Sequence, residues 1–478
     1  MIKKEFLILI TLIIVCFSCS EDNDTTTPRN LQEYIATISN KDFGNVIACA
    51  ASAKESSSLT YIFYYPEEGA TDIRYYEADS LSISDVNDLS SYSRRTLEIE
   101  DVFGGKLKRF SRTDETENWC LVTYMLNGKL HKSNPIRLKN ISNKTTYTDQ
   151  ITIEYPTTLT PKFTWSDFNE TDNDVYFQVI SEKEDAAFFS GVYIGAYQER
   201  VFQYNDFTNS NIDQNLFSLI NTTTPPDLEL DIEYLFTSMA VTKDNWVNTI
   251  IEEPFVLGNL QEYFDDVSLN ETDKITSFAA SKNGNDNICL VYVYPQTNAF
   301  NIRYYETENT SVDEEDFTKY RRKMLDEELV FGLQFRQFSR VEDHESWYIV
   351  TYQIDDIIYR SDPIQLKNKS QPTVWKAATD LEVTFPETLV PLFTWSDFGI
   401  TTNDRYFHLI TTNSSSFISG VYTQQNSFKY NDFSNTTSNI NTITPPDLIL
   451  ENTYKTKVLG ISNENWVNLV IEKSFDIE

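Results

Sequence analysis

Histidine is nearly absent: only His131, His344 and His408 occur in 478 residues. None lies near a nucleophile motif, so neither a zinc site nor a Ser-His-Asp arrangement is expected. Glycine is scarce, at 13, and no glycine-rich phosphate loop occurs. Positive charge is in short supply, with 39 Lys and Arg against 72 Asp and Glu, a net charge of −33 and a pI of about 4.4. Phosphate binding needs basic surface, which excludes a nucleic-acid partner. Long apolar runs are also lacking. Phe6 to Phe17 is too short for a comfortable transmembrane helix, and no other stretch is apolar enough to span.

Strand-forming residues are abundant. Tyr and Phe number 28 and 31, and Val, Ile and Thr are common, which favours sheets over helices. About half the chain then repeats itself. Phe163-Thr164-Trp165-Ser166-Asp167-Phe168 reappears as Phe393-Thr394-Trp395-Ser396-Asp397-Phe398. Asp72-Ile73-Arg74-Tyr75-Tyr76-Glu77 matches Asn301-Ile302-Arg303-Tyr304-Tyr305-Glu306, an offset of 229 (303 − 74). Asn245-Trp246-Val247-Asn248 matches Asn465-Trp466-Val467-Asn468 at an offset of 220 (466 − 246), so small deletions fall late in the second copy. The pattern is a tandem duplication.

The N-terminus has the grammar of export. Lys3-Lys4 precede the apolar run, which ends at Ser18-Cys19, as in a secretory signal. The small residue before cysteine resembles a bacterial lipobox and implies that Cys19 is the lipidated terminus. Ser20-Glu21-Asp22-Asn23-Asp24 resembles the surface-export tag of Bacteroidetes lipoproteins. That resemblance implies a lipid anchor in the outer membrane and a body facing the cell exterior.

Each copy divides again. Six alternating runs between Asn45 and Leu138, with a tight-hairpin signal at Asn127-Gly128, read as an immunoglobulin-like or fibronectin-like sandwich. The later half carries a proline, an alternating strand with one tryptophan, and a tyrosine-bearing strand. This resembles fibronectin type III domains and implies core positions for Trp165 and Trp395. The expected fold class is therefore all-β, with four tandem sandwiches in two homologous pairs. The expected boundaries are a signal peptide at 1–18, an acidic tether at 19–30, and domains at 31–142, 143–258, 259–370 and 371–478. Tandem domains of this kind are similar to those of outer-membrane glycan-capture lipoproteins found beside TonB-dependent transporters. The resemblance implies polysaccharide binding and a transporter complex as partner.

Cys49 and Cys120 become Phe278 and Tyr348 in the second copy, so both are lost together. Their spacing resembles the inter-sheet disulfide of immunoglobulin folds, which an oxidising periplasm permits. Bonded, they would close a loop worth roughly 4 kcal/mol; the alternative is a pair of buried thiols.

Aromatic residues are the best ligand candidates. Trp246 and Trp466 fall at turns beside Asn245 and Asn465. They either stack on a sugar ring, with the amides bonding its hydroxyls, or fold back as lids on a sandwich end. Trp375, in the linker from Gln371 to Asp380, is a third candidate. Arg74 and Arg303 lie beside tyrosines in both copies and either bind anions or, the favoured reading, pair with Glu77 and Glu306. Shared carboxylates such as Asp167/Asp397 and Asp174/Asp404 leave a glycosidase pair open but read more simply as caps and turns. No catalytic residue is assigned and no cofactor is required. Asp172 and Asp174, in the polar loop from Asn169, are weak calcium ligands at most. The leading expectation is non-catalytic polysaccharide binding. An adhesion or protein-interaction scaffold is the alternative, and a hydrolase with an unrecognised carboxylate pair a third.

Overall fold

The computed structural model describes residues 28–168, 170–266 and 275–477. Cys19 and the acidic cluster after it lie outside them. Among the described residues no helix is long and apolar enough to cross a membrane. The chain is all-β and sandwich-like. It divides into two compact units: one holds Thr160–Asp227, Tyr234–Pro254 and the chain up to Pro156, the other Thr157–Leu159, Leu228–Glu233 and Phe255–Glu478.

In the first unit a short helix, Leu31–Thr37, is capped by Asn30, whose side chain accepts from the Glu33 amide. The first sheet runs 43–46, 129–133, 119–126, 71–78, 92–95, and the second 48–52, 59–64, 107–113, 98–102. The first of the alternating runs, which begins at Asn45, is split between two strands. The chain pairs parallel with Lys129–Ser133 as far as Val46, then crosses to the second sheet at Ala48. Asn127 and Gly128 both take positive φ, as a two-residue hairpin turn between right-twisted strands requires. The later half adds a sheet of 146–148, 247–256, 233–242, 173–182, 188–195 and a three-stranded one of 152–154, 162–164, 201–203.

Side-chain parity decides what lies between these sheets. On Trp119–Leu126, Cys120, Val122 and Tyr124 point inward to meet Ile62, Tyr64 and Phe110 of the second sheet. Leu121, Trp119 and Met125 point outward, under Leu31, Tyr34 and Ile35 of the helix. On Leu59–Tyr64 the odd residues are apolar as well. Tyr61 and Phe63 face away from their own sandwich and pack with Ala51 and Leu107 against Phe177, Tyr193, Met239 and Ile250 of the third sheet. Phe163 of the fourth sheet stacks on Phe236 of the third at 4.3 Å, and Trp165 packs edge-on to Tyr176. The unit is thus a stack of helix and four sheets, in which the second and third sheets are covered on both faces.

The second unit repeats the stack. Leu260, Tyr263 and Phe264 of a helix cover Tyr305 and Ile349. A first core gathers Val291, Tyr304, Tyr348 and Val350. Phe278, Phe335, Phe407 and Leu459 join the two sandwiches, and Phe393, Trp395 and Phe428 fill the last core. Trp165 and Trp395 are buried core residues, where the fibronectin resemblance put them.

Candidate functional site

Trp246 and Trp466 are 0% exposed and are not available to a ligand. Nor do they lid their own sandwich. Each sits at the tip of the last hairpin of the later sandwich and enters the core of the earlier one. Trp246 packs with Val46, Ala50, Tyr75 and Cys120, and Trp466 with Ala279, Cys289, Tyr304 and Tyr348. The indole N–H of each donates to a linker carbonyl, Asn143 O or Gln371 O, at 2.8 Å. Asn245 and Asn465 are turn residues with positive φ, and their carbonyls accept from the Ala50 and Ala279 amides at 2.9 and 3.1 Å. The Asn245 side chain donates to Pro135 O, so it is structural too. Exposed-looking neighbours concealed these roles: Asp244 and Glu464 reach out to Lys139 and Lys367, while the next side chain but one turns in.

Trp375 is half-buried. Its strand pairs with Ile471's strand, its ring packs against the inter-sandwich cluster, and its indole donates to Ser281 O at 3.0 Å. It wedges two sandwiches together within the unit.

The expected disulfide is absent: Cys49, Cys120 and Cys289 are free thiols. Parity is again the reason. Ala50, not Cys49, faces the first core, while Cys49 packs on the other side of its sheet against the inter-sandwich cluster. Cys120 lies in the first core, so a whole sheet separates the two sulfurs. Phe278 and Tyr348 likewise occupy different clusters, and their joint arrival reflects two separate repackings.

The expected arginine pairing also fails. Arg74 bonds Asp72 at 2.8 Å and lies over the Tyr34 ring, because residues three apart on a strand face opposite ways. Glu77 is fully buried and takes Arg112 at 2.7 Å, Asn118 at 2.8 Å and the Tyr75 hydroxyl at 3.0 Å. Glu306 and Arg340 repeat the pair at 2.7 Å. Burial works against charge on both carboxyls. Arg112 and Asn118 outweigh it for Glu77, as Lys323 and Arg340 do for Glu306, and hold both below the usual carboxylate range. Glu306, Glu342 and His344 converge closely enough for a metal, but Arg340 already donates to both carboxylates.

Two concavities stand out among the described residues. In the second unit a groove of about 790 Å³ is lined by Leu329, Leu333, Phe417, Ile443 and Lys455. In the first, a cleft of about 770 Å³ is lined by residues of four loops, among them Asp172, Asp174, Tyr197, Arg200 and Lys243. Asp167 holds Arg200 at 2.7 Å, and Asp172 accepts from Asn248 at 2.7 Å. The two weak calcium candidates therefore share one cleft, with Asp172 already engaged and a lysine among its neighbours.

No family model matches the chain, and no curated protein matches it. Among solved structures it is similar to a tetra-tandem repeat from the extending region of a large adhesion protein. That match has 7% identity over 91% of this chain and 99% of the other, with a TM-score of 0.15. It is also similar to the chicken CNTN1 FN1–FN3 domains, at 11% identity over 70% and 98%, with a TM-score of 0.19. Superpositions this loose carry no argument about function, and the fold rests on the sheets themselves.

Proposed function

We propose that the protein is a non-catalytic adhesion or binding scaffold, displayed at the cell exterior from a lipid on Cys19, whose sandwiches are fused in pairs into stiff blocks. The observation that carries this reading is the tryptophan plug. In each unit the later sandwich completes the core of the earlier one through Trp246 or Trp466. Linker contacts add to it: the Thr145 hydroxyl donates to Val247 O, and Thr373 to Val467 O, at 2.8 and 2.7 Å. Independent spacer domains leave such junctions free to bend. A fused junction holds whatever its loops carry at a set position.

Sugar capture beside a TonB-dependent transporter is a finer form of this reading. It no longer draws on Trp246 or Trp466. Pulling the full chain by its ends tests the fused blocks: two unfolding steps are expected, each releasing a whole unit, and four smaller steps overturn the reading. A rise in reducing ends above a blank, after incubation with polysaccharides, overturns the non-catalytic part. Cys19→Ala is expected to release the protein from the membrane fraction.

A further inference from the structure

The cleft of the first unit has a feature that the duplication did not copy. Between Ile194 and Arg200 the chain carries Gly195-Ala196-Tyr197-Gln198-Glu199, whereas only Gln424-Gln425 separate the equivalent Thr423 and Asn426. The equivalence is fixed by pairing: Trp165 and Trp395 donate their backbone N–H to Arg200 O and Asn426 O. The inserted loop presents Tyr197 at 88% exposure, the most exposed large apolar side chain among the described residues. Its ring lies beside Gly195, where an added Cβ would come within 2.6 Å of a ring carbon, so any larger residue there would push the ring aside. Nearly all of the ring is open to solvent.

The groups around it are of mixed type. Arg200 is held by Asp167 and the Tyr176 hydroxyl, and Lys139 by Asp244. Glu170, Asp174 and Lys243 line the same cleft and have no side-chain partner among the described residues. Thr171 adds a hydroxyl. Two free carboxylates accept from vicinal hydroxyls, an ammonium and a hydroxyl donate, and a flat ring takes the C–H face of a pyranose. The cations are too few, and too largely spent on carboxylates, for a polyanion.

We infer that this cleft is a saccharide-binding site, with Tyr197 as stacking platform and Glu170, Asp174 and Lys243 as hydroxyl ligands, and that it takes a neutral pyranose of an oligosaccharide. The second unit lacks it. The site adds a ligand to the scaffold reading and can fail without it, since the pulling experiment is blind to Tyr197.

The test is native electrophoresis of the full chain in gels cast with glycogen, xyloglucan, laminarin or galactomannan. Retardation is expected in at least one. There, Tyr197→Ala is expected to raise the apparent Kd about ten-fold or more, and Tyr197→Phe to keep it within about two-fold, because the ring stacks without its hydroxyl. Asp174→Ala is expected to weaken binding by about three- to ten-fold. Both positions lie on a loop or at a strand end near the surface, and an unchanged near-ultraviolet circular dichroism spectrum verifies the fold. Mobility unchanged in all four gels overturns the inference, as does retardation that survives Tyr197→Ala.

Discussion

Position for position, the two units solve the same packing problem with different side chains. In the first, Gln178 sits in the later core opposite Ser238. In the second the position is His408, ringed by Phe393, Trp395 and Phe428, with Nε2 bonded to the Thr456 hydroxyl at 2.9 Å. Between the sandwiches, the first unit has Cys49 where the second has Phe278, which joins Phe331, Phe335 and Phe407 in an aromatic cluster. By contrast the tryptophan plug and the buried Glu-Arg pair are the same in both. What was kept is what joins the sheets into a block. What drifted is core filling and loop chemistry, where Tyr197 appeared on one side and the Leu333-Ile443 groove on the other.

The comparison can be broken hardest at its shared part. Trp246→Ala or Trp466→Ala is expected to cost about 3–5 kcal/mol. Hydrogen exchange should quicken in both sandwiches of the altered unit. Faster exchange confined to the hairpin tip would show that the plug is ornamental. Glu306→Gln strips Arg340 of its fully buried carboxylate and leaves it only the half-buried Glu342, at a cost of about 3 kcal/mol, and Glu77→Gln should do the same to Arg112, which keeps only Asp114. Denaturant midpoints that differ widely between the two variants would mean that the pairs are not equivalent.

Acid sharpens the difference. Burial alone lowers His408 from 6.5 to about 3, so the folded core holds it neutral while the unfolded chain takes up a proton below 6.5. Its contribution is complete above 6.5 and is lost as pH falls, by about 1.4 kcal/mol per unit. Glu77 and Glu306 are lowered from 4.5, so their contributions begin to fade only below that. Between 6.5 and 4.5 the second unit should therefore weaken by roughly 2–3 kcal/mol relative to the first. His408→Gln should abolish the gap, as read by exchange at each pH. The smallest effect expected is none: reductant should leave the first unit's melting unchanged, because Cys49 and Cys120 are not bonded. A fall of about 4 kcal/mol would restore the bond.

Much of the fold was legible because strands and hairpins write themselves locally. Asn127-Gly128 specified its turn, and the Trp165 and Trp395 strands their cores. The helices were legible but unread: Asn30-Leu31-Gln32-Glu33-Tyr34 recurs as Asn259-Leu260-Gln261-Glu262-Tyr263, with Asn259 capping the Glu262 amide. The face-to-face packing also left a trace. Tyr61-Ile62-Phe63-Tyr64 is apolar at every position, whereas a strand with one solvated face alternates. The destination of Trp246 was not legible, since a hairpin tip looks the same whether it meets water or another sandwich's core. Cys49 failed by one register step, which spacing cannot resolve. The Tyr197 loop had a signal in the late slip of the repeat offset, but only the structure put it on the rim of a cleft.

The plug also sets an order of events. The first core cannot close until a side chain 103 positions beyond the Asn143 carbonyl has been delivered, and in the second unit the wait is 95 positions. A nascent first sandwich thus stays ajar until its partner has been made, and the two harden as one.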